Sequence, residues 1–356
     1  MAGLTQEQIE AVDATGQVED VLAMPRHLED ALWRVESAAL EKSLRRLDGL
    51  APLLVCGMGG SAVGGDLAVA VLGDRLTKPM RTIRGYELPS WVTPESHVLC
   101  ASYSGNTEET LACFEAAGTL GAPRVVVTTG GRLADAARAE GCPVIPLPAG
   151  LQPRAAVAYM LVSVLEVAAH VDAAPGLRTE IDAAAASLTR LAEEWGPSAD
   201  ADSLAKRVAQ RGHRTTICIY GAGTTAPIAA RWKTQINENA KVPAFAGELP
   251  EADHNEIVGW DSASSFGGFL AVFLEDSDQH PRVRQRIELT AGLIEPESAG
   301  TLRLESKGTM RLERVLSLVL LGDLVSIYLA VLRGEDPCPV VAIDRLKQAL
   351  GGLQTA

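Results

Sequence analysis

The chain has 356 residues, 47% of them hydrophobic, and a formal net charge of −13 at pH 7. That length gives room for two domains with full cores. The acidic balance argues against nucleic acid, which demands clustered Lys and Arg, but it leaves open a small phosphorylated ligand in a local cradle.

Residues 1–48 read as a helical segment packing on the first domain, with Val21, Leu22, Leu28, Leu32, Trp33 and Val35 at helical spacings. The N-terminal Met1-Ala-Gly-Leu-Thr-Gln-Glu lacks the basic and apolar regions of a signal peptide. No apolar run is expected to approach the ~20 residues that span a bilayer, so a cytoplasmic protein without a membrane partner is expected. From Leu53 onward short apolar runs alternate with helical stretches: 53–56, 80–84, 97–101, 124–128 and 143–147 as strands, then a longer apolar helix from Ala155 to about His170. This is the pattern of a parallel α/β sheet, placed at residues 49–175.

Residues 176–205 are alanine-rich and read as a helical connection, interrupted by Trp195-Gly-Pro-Ser198. The earlier layout then restarts within 206–356: Thr216-Ile-Cys-Ile-Tyr220 leads through Gly221-Ala-Gly-Thr-Thr225 into a helix with Pro227 in its first turn. Strands are expected at 266–274 and 301–305, helices near 281–294 and 311–332, and a terminal amphipathic helix. The fold class is therefore α/β, with two doubly wound parallel-sheet domains in tandem and flanking helices.

Two strand–helix junctions carry the chemistry. Val55-Cys-Gly-Met-Gly-Gly-Ser61-Ala-Val-Gly-Gly-Asp66 packs five glycines and a serine into the nine residues from Gly57 to Gly65. It reads as an anion cradle, where backbone N–H groups and a helix dipole meet a ligand. Gly57-x-Gly59-x-x-Ala62 also fits a loose dinucleotide fingerprint. That alternative lacks an acidic residue at the end of the second strand, where Thr82-Ile-Arg-Gly-Tyr86 offers only the late Glu87. In the second junction, Ala101-Ser-Tyr-Ser-Gly-Asn-Thr107-Glu-Glu-Thr110, the hydroxyls of Ser102, Ser104 and Thr107 crowd a helix N-terminus. One hydroxyl would be explained as a cap; three beside a glycine-rich turn of the same sheet favour a phosphate site.

The six cysteines (56, 100, 113, 142, 218, 338) include no C-x-x-C pair and read as reduced, with 56, 100 and 218 inside apolar runs. The six histidines (27, 97, 170, 213, 254, 280) show no metal-ligand spacing. Neither a Walker loop nor a nucleophile elbow is present.

Gly57-Met-Gly-Gly-Ser61-Ala62, Ser102-Tyr-Ser-Gly-Asn-Thr107 and Gly247-Glu-Leu-Pro-Glu-Ala-Asp-His254-Asn-Glu-Ile-Val-Gly-Trp260 together resemble the tandem sugar-isomerase (SIS) domain proteins. Within them, the chain is most similar to the bifunctional phosphoglucose/phosphomannose isomerases, from about residue 20 to Lys347. The first two motifs are shared with SIS regulators that sense sugar phosphates and with enzymes of aminosugar and heptose phosphates. The third is more specific. The resemblance implies that Gly60, Ser61, Ser102, Ser104 and Thr107 hold a sugar phosphate and that Glu238 is the base moving a proton between C1 and C2. It implies that His254 assists ring opening, that Arg154 stabilises an anionic enediolate, and that Lys347 is the family's C-terminal active-site lysine. It further implies a homodimer whose sites pair Glu238 of one chain with His254 of the other, and a reaction needing no metal or cofactor. One departure is plain: relatives tend to carry a hydroxyl residue in the Asp-Pro-x-Pro stretch, where this chain has Cys338 and Val340, and this bears on activity towards mannose phosphate.

The residue types fit the chemistry independently, since aldose–ketose isomerisation needs a carboxylate base and a cation near the developing oxyanion. Glu238 stands two residues beyond Ile236, off the Ile228–Trp232–Ile236 face expected to pack inward.

Overall fold

The computed structural model describes residues 4–351; the first three residues and 352–356, at the outer ends of the expected N-terminal segment and second domain, lie outside the described residues. Helices α1 (Gln6–Val12), α2 (Gln17–Leu22), α3 (Met24–Ser37) and α4 (Leu40–Ser43) precede the first strand. The first α/β unit runs β1 (Leu53–Gly57), α5 (Gly59–Leu72), β2 (Met80–Ile83), β3 (His97–Ala101), α6 (Glu108–Leu120), β4 (Arg124–Thr128), α7 (Gly131–Ala139) and β5 (Val144–Pro146). Helices α8 (Val157–His170), α9 (Arg178–Trp195) and α10 (Leu204–Gly212) lead to the second unit. It contains β6 (Thr216–Gly221), α11 (Ala226–Gln235), β7 (Ala244–Glu248), α12 (Glu256–Gly259), β8 (Phe269–Glu275), α13 (Pro281–Ile294), β9 (Gly300–Glu305), α14 (Arg311–Arg333) and α15 (Val341–Gly351).

The strands pair in the order β2-β1-β3-β4-β5 and, separately, β7-β6-β8-β9, with every pairing parallel. Central strands β1 and β3 are buried along their whole length, as a parallel sheet covered on both faces requires. After β1 the chain goes to β2 on one side and then crosses to β3 on the other, so the connections diverge between β1 and β3. Gly57 is level with Ala101 across that pair, and the glycine-rich and hydroxyl-rich loops therefore leave the sheet side by side. The second sheet repeats the reversal between β6 and β8.

Three readings need correction. β7 is a strand that the expected strands do not include; Ala-Phe-Ala-Gly-Glu lacks an apolar run because β7 is an edge strand with a largely open face. The N-terminal helices pack more widely than on the first unit: α3 lies against α8 but also α9, and α1 and α2 reach α14. Finally, α14 is long and apolar enough to cross a membrane by length and composition, contrary to the expected absence of such a run, yet 94% of its apolar window is buried inside the protein.

That burial makes α14 the pillar between the two units, in contact with α5, α9, α10 and α11. One close approach is at Gly322, where an added Cβ would lie 2.1 Å from the Trp232 indole nitrogen. The indole N–H itself donates to the Leu318 carbonyl at 2.8 Å. A glycine inside a helix normally gains about 1 kcal/mol on conversion to alanine. Here Gly322→Ala should instead destabilise by about 1–3 kcal/mol, through displacement of Trp232. Chemical denaturation measures it, and a variant as stable as the parent would contradict the close contact.

Candidate active site

The N-terminus of α5 has Met58 at its cap and that of α6 has Thr107, and neither receives a side-chain capping bond. Ser61 N–H turns back to the Met58 carbonyl at 3.0 Å; the other first-turn N–H groups lack intrahelical partners, and the positive dipole ends point out from neighbouring strands. Instead of capping, the Thr107 hydroxyl pairs with the Ser102 hydroxyl at 2.8 Å. The Ser102 oxygen accepts from Gly105 N–H (3.1 Å), the Ser104 oxygen from Asn106 N–H (3.3 Å) and the Ser61 oxygen from Tyr103 N–H (3.1 Å). The Ser61 bond ties the two loops together. Because the backbone donates to the Ser61 and Ser104 oxygens, their O–H protons stay available to an acceptor. The Ser102–Thr107 pair uses one proton between its two oxygens and keeps the other, and such protons are what a phosphate needs.

Gly60 connects this cradle to the second group of candidate residues. A Cβ there would sit 2.8 Å from the Pro153 carbonyl oxygen and 3.1 Å from Arg154 Cα, so only glycine lets the turn press against the Arg154 backbone. Arg154 is buried, and its Nη1 lies 3.5 Å from Glu238 Oε2. Burial pulls the guanidinium below its ordinary pKa while Glu238 opposes the shift. Ile228, Trp232 and Ile236 are buried, as their spacing predicts, but the helix widens into a π turn over Ile236–Ala240. This turn aims Glu238 at Arg154 and leaves its side chain about a third exposed, at 29%. Such turns recur at functional sites.

Several neighbours carry no motif signal. The Arg154 guanidinium donates to Asn239 Oδ1 (2.6 Å), Gln152 Oε1 (3.2 Å) and the carbonyls of Pro337 (2.8 Å) and Cys338 (2.9 Å). Lys241 Nζ donates to the carbonyls of Asn239 (3.1 Å), Asp336 (2.7 Å) and Pro337 (2.8 Å). Arg154 and Lys241 thus hold the segment joining α14 to α15 as a strap beside Glu238. The Cys338 thiol sulfur accepts from Gln152 Nε2 at 2.9 Å. Only the proline spacing around Cys338 hinted at this strap. A groove of about 510 Å³ opens there, lined by Asn237, Glu238, Lys241, Asp336, Val340 and Ile343. A wider groove of about 590 Å³ runs between the β2 and β7 edges and touches neither Arg154 nor Glu238.

The single chain does not unite all the candidates. His254 is exposed at the end of a short turn after β7, and Lys347 is exposed on α15; among the described residues neither bonds to Arg154, Glu238 or the cradle. All the cysteines are free; Cys56, Cys100 and Cys113 are buried, whereas Cys218, placed in a core run by its sequence, is only half-buried. Among the described residues no cluster of three or more His, Cys, Asp or Glu is arranged to hold a metal ion.

Comparison with known proteins interprets this arrangement. Residues 201–350 match the family model described as the bacterial phospho-glucose isomerase C-terminal SIS domain. The chain is 37% identical over 339 residues to a bifunctional phosphoglucose/phosphomannose isomerase of Caldicellulosiruptor bescii, covering 94% of this chain and 99% of that one. The chain belongs to the bifunctional phosphoglucose/phosphomannose isomerase family. Another member, from Aquifex aeolicus, is 38% identical over 299 residues, covering 84% of this chain and 90% of the relative. The fold is also that of a hypothetical protein from Thermus thermophilus, with a TM-score of 0.75 at 16% identity, covering 97% of this chain and 94% of the other.

For a member of this family the cradle has a direct test. Ser104→Ala combined with Thr107→Ala should weaken binding of a phosphate monoester at least tenfold, each charge-assisted bond contributing about 1.5–3 kcal/mol. Titration calorimetry reads the affinity, and an unchanged value in a folded double variant would move the anion elsewhere.

Proposed function

We propose that the protein interconverts glucose 6-phosphate and fructose 6-phosphate, and acts on mannose 6-phosphate, through a cis-enediolate and without a metal. The observation that carries this reading is the Arg154–Glu238 pair at 3.5 Å, joined to the phosphate cradle by the contact between Gly60 and the Arg154 backbone. Family membership supports it, because the relatives described above are named for both activities.

In this mechanism the sugar phosphate is anchored by the hydroxyls of Ser61, Ser102, Ser104 and Thr107 and by the open N–H groups of α5 and α6. Glu238 takes the proton from C2 of the aldose and returns it to C1. Arg154 faces the oxygen that becomes negative as the enediolate forms. Cys338, beside Arg154 through its bond from Gln152, stands where relatives tend to have a hydroxyl, and it influences the choice between glucose and mannose epimers.

Glu238→Gln keeps the shape of the base and removes its proton affinity. Its kcat for fructose 6-phosphate formation should fall by about 10²-fold or more with substrate binding retained. A coupled assay with EDTA present reads this, and near-parental turnover would remove Glu238 from the mechanism. Loss of parental activity in EDTA would overturn the metal-free route.

His254 and Lys347, both exposed and apart from Glu238, complete the reading in a homodimer, where His254 enters the site of the second copy. Mixing Glu238→Gln and His254→Gln chains at equal amounts makes half the dimers mixed, each with one intact site. About a quarter of parental activity should therefore return. If exchange of subunits is demonstrated and no activity returns, the shared site is wrong.

A further inference from the structure

The polar side chains buried around α14 are too well connected to be filler. Asp323, midway along that apolar helix, accepts from Arg231 Nε (3.0 Å) and Nη2 (2.6 Å) and from Gln235 Nε2 (2.7 Å). Burial pushes its carboxyl up in pKa, and Arg231 and Gln235 pull it back. Arg231 Nη2 also donates to the Arg154 carbonyl at 2.9 Å. From the same helix the Ser326 hydroxyl donates to the Asp323 carbonyl (2.7 Å) and accepts from Asn239 Nδ2 (2.8 Å), and Asn239 Oδ1 accepts from Arg154 Nε (2.6 Å). The ring Arg154–Asn239–Ser326–Asp323–Arg231–Arg154 is closed. Ser326 and Asn239 are fully buried at 0% exposure, so water does not substitute for a missing link.

The ring decides what Arg154 can offer a substrate. A guanidinium has five N–H donors. Nε–H goes to Asn239, both Nη2–H go to the strap carbonyls of Pro337 and Cys338, and one Nη1–H goes to Gln152. The remaining donor is on Nη1, the atom 3.5 Å from Glu238. Its direction is set by the plane of the guanidinium, which Asn239 fixes at the Nε edge.

We propose that Ser326 and Asn239 are positioning residues for the isomerisation: anchored by α14, they hold the Arg154 plane so that its one uncommitted N–H faces the oxygen that turns negative. The inference rests on the isomerase reading above and adds residues that touch neither phosphate nor sugar.

Ser326→Ala cuts the ring and leaves the phosphate cradle alone. It should lower kcat by about ten- to a hundredfold, the scale of a small misplacement at the reacting centre, with KM changed less than twofold. In an Arg154→Ala background the same substitution should cost no further kcat, because the group it positions is gone. An unchanged kcat, or an equal loss in both backgrounds, would overturn the proposal. Should Ser326→Ala fail to fold, Asn239→Ala cuts the ring one link nearer Arg154 and is read in the same way. A parent without isomerase activity would sink the isomerase reading and this inference together; an active parent with unaffected variants sinks only the inference.

Discussion

A carboxylate placed halfway along an apolar helix constrains everything near it. Asp323 is 1% exposed, and removing the partner of a buried charge costs about 3–5 kcal/mol. Arg231 must therefore meet it, which fixes the face that α11 turns towards α14. The Trp232 indole lying across Gly322 locks the same crossing from the apolar side. With α11 held there, its continuation as a π turn carries Glu238 to the strap and Arg154 rather than into solvent. The position of the candidate base is thus a consequence of a charge pair that never approaches a ligand.

The cradle has a separate origin. Parallel strands deliver all their outgoing loops to one edge of the sheet, and the reversal of strand order between β1 and β3 opens space between two of them. Level registration of Gly57 with Ala101 makes the α5 and α6 termini adjacent. The two halves of the site then meet where Gly60 lies against Pro153 and Arg154 and where the Tyr103 hydroxyl donates to the Pro148 carbonyl (2.8 Å) and accepts from Leu151 N–H (2.9 Å). A larger side chain at Gly60 would push the anion away from the pair that performs the chemistry.

These origins explain what could be read in the sequence. The cradle was legible because each of its loops is contiguous: Gly57–Ser61 and Ser102–Thr107 announce themselves within a few residues, and buried strands such as Leu53–Gly57 are unbroken apolar runs. Glu238, Arg154, His254 and Lys347 were nameable only through family resemblance, since as single residues they look like any surface charge. The ring was not legible at all, because its partners lie far apart in the chain, as Arg154 and Asn239 or Arg231 and Asp323 do, and no spacing rule links them. β7 escaped because an edge strand need not be apolar, and the π turn because helical periodicity presumes 3.6 residues per turn.

The lateness of α14 in the chain shapes how the protein is made. It is synthesised after both sheets, yet its sides complete the cores of α5 and α9 and of α10 and α11 alike. Until it emerges, these helices lack the part of their apolar cover that α14 supplies, although α8 already packs on α5 and α3 on α9. The two units therefore do not mature one after the other as independent beads on a string. A ribosome stalled before residue 311 holds a nascent chain whose apolar cluster from Leu54 to Ala137 has all its members but whose α5, α9, α10 and α11 still miss their shared neighbour, and arrival of a single helix commits both halves at once.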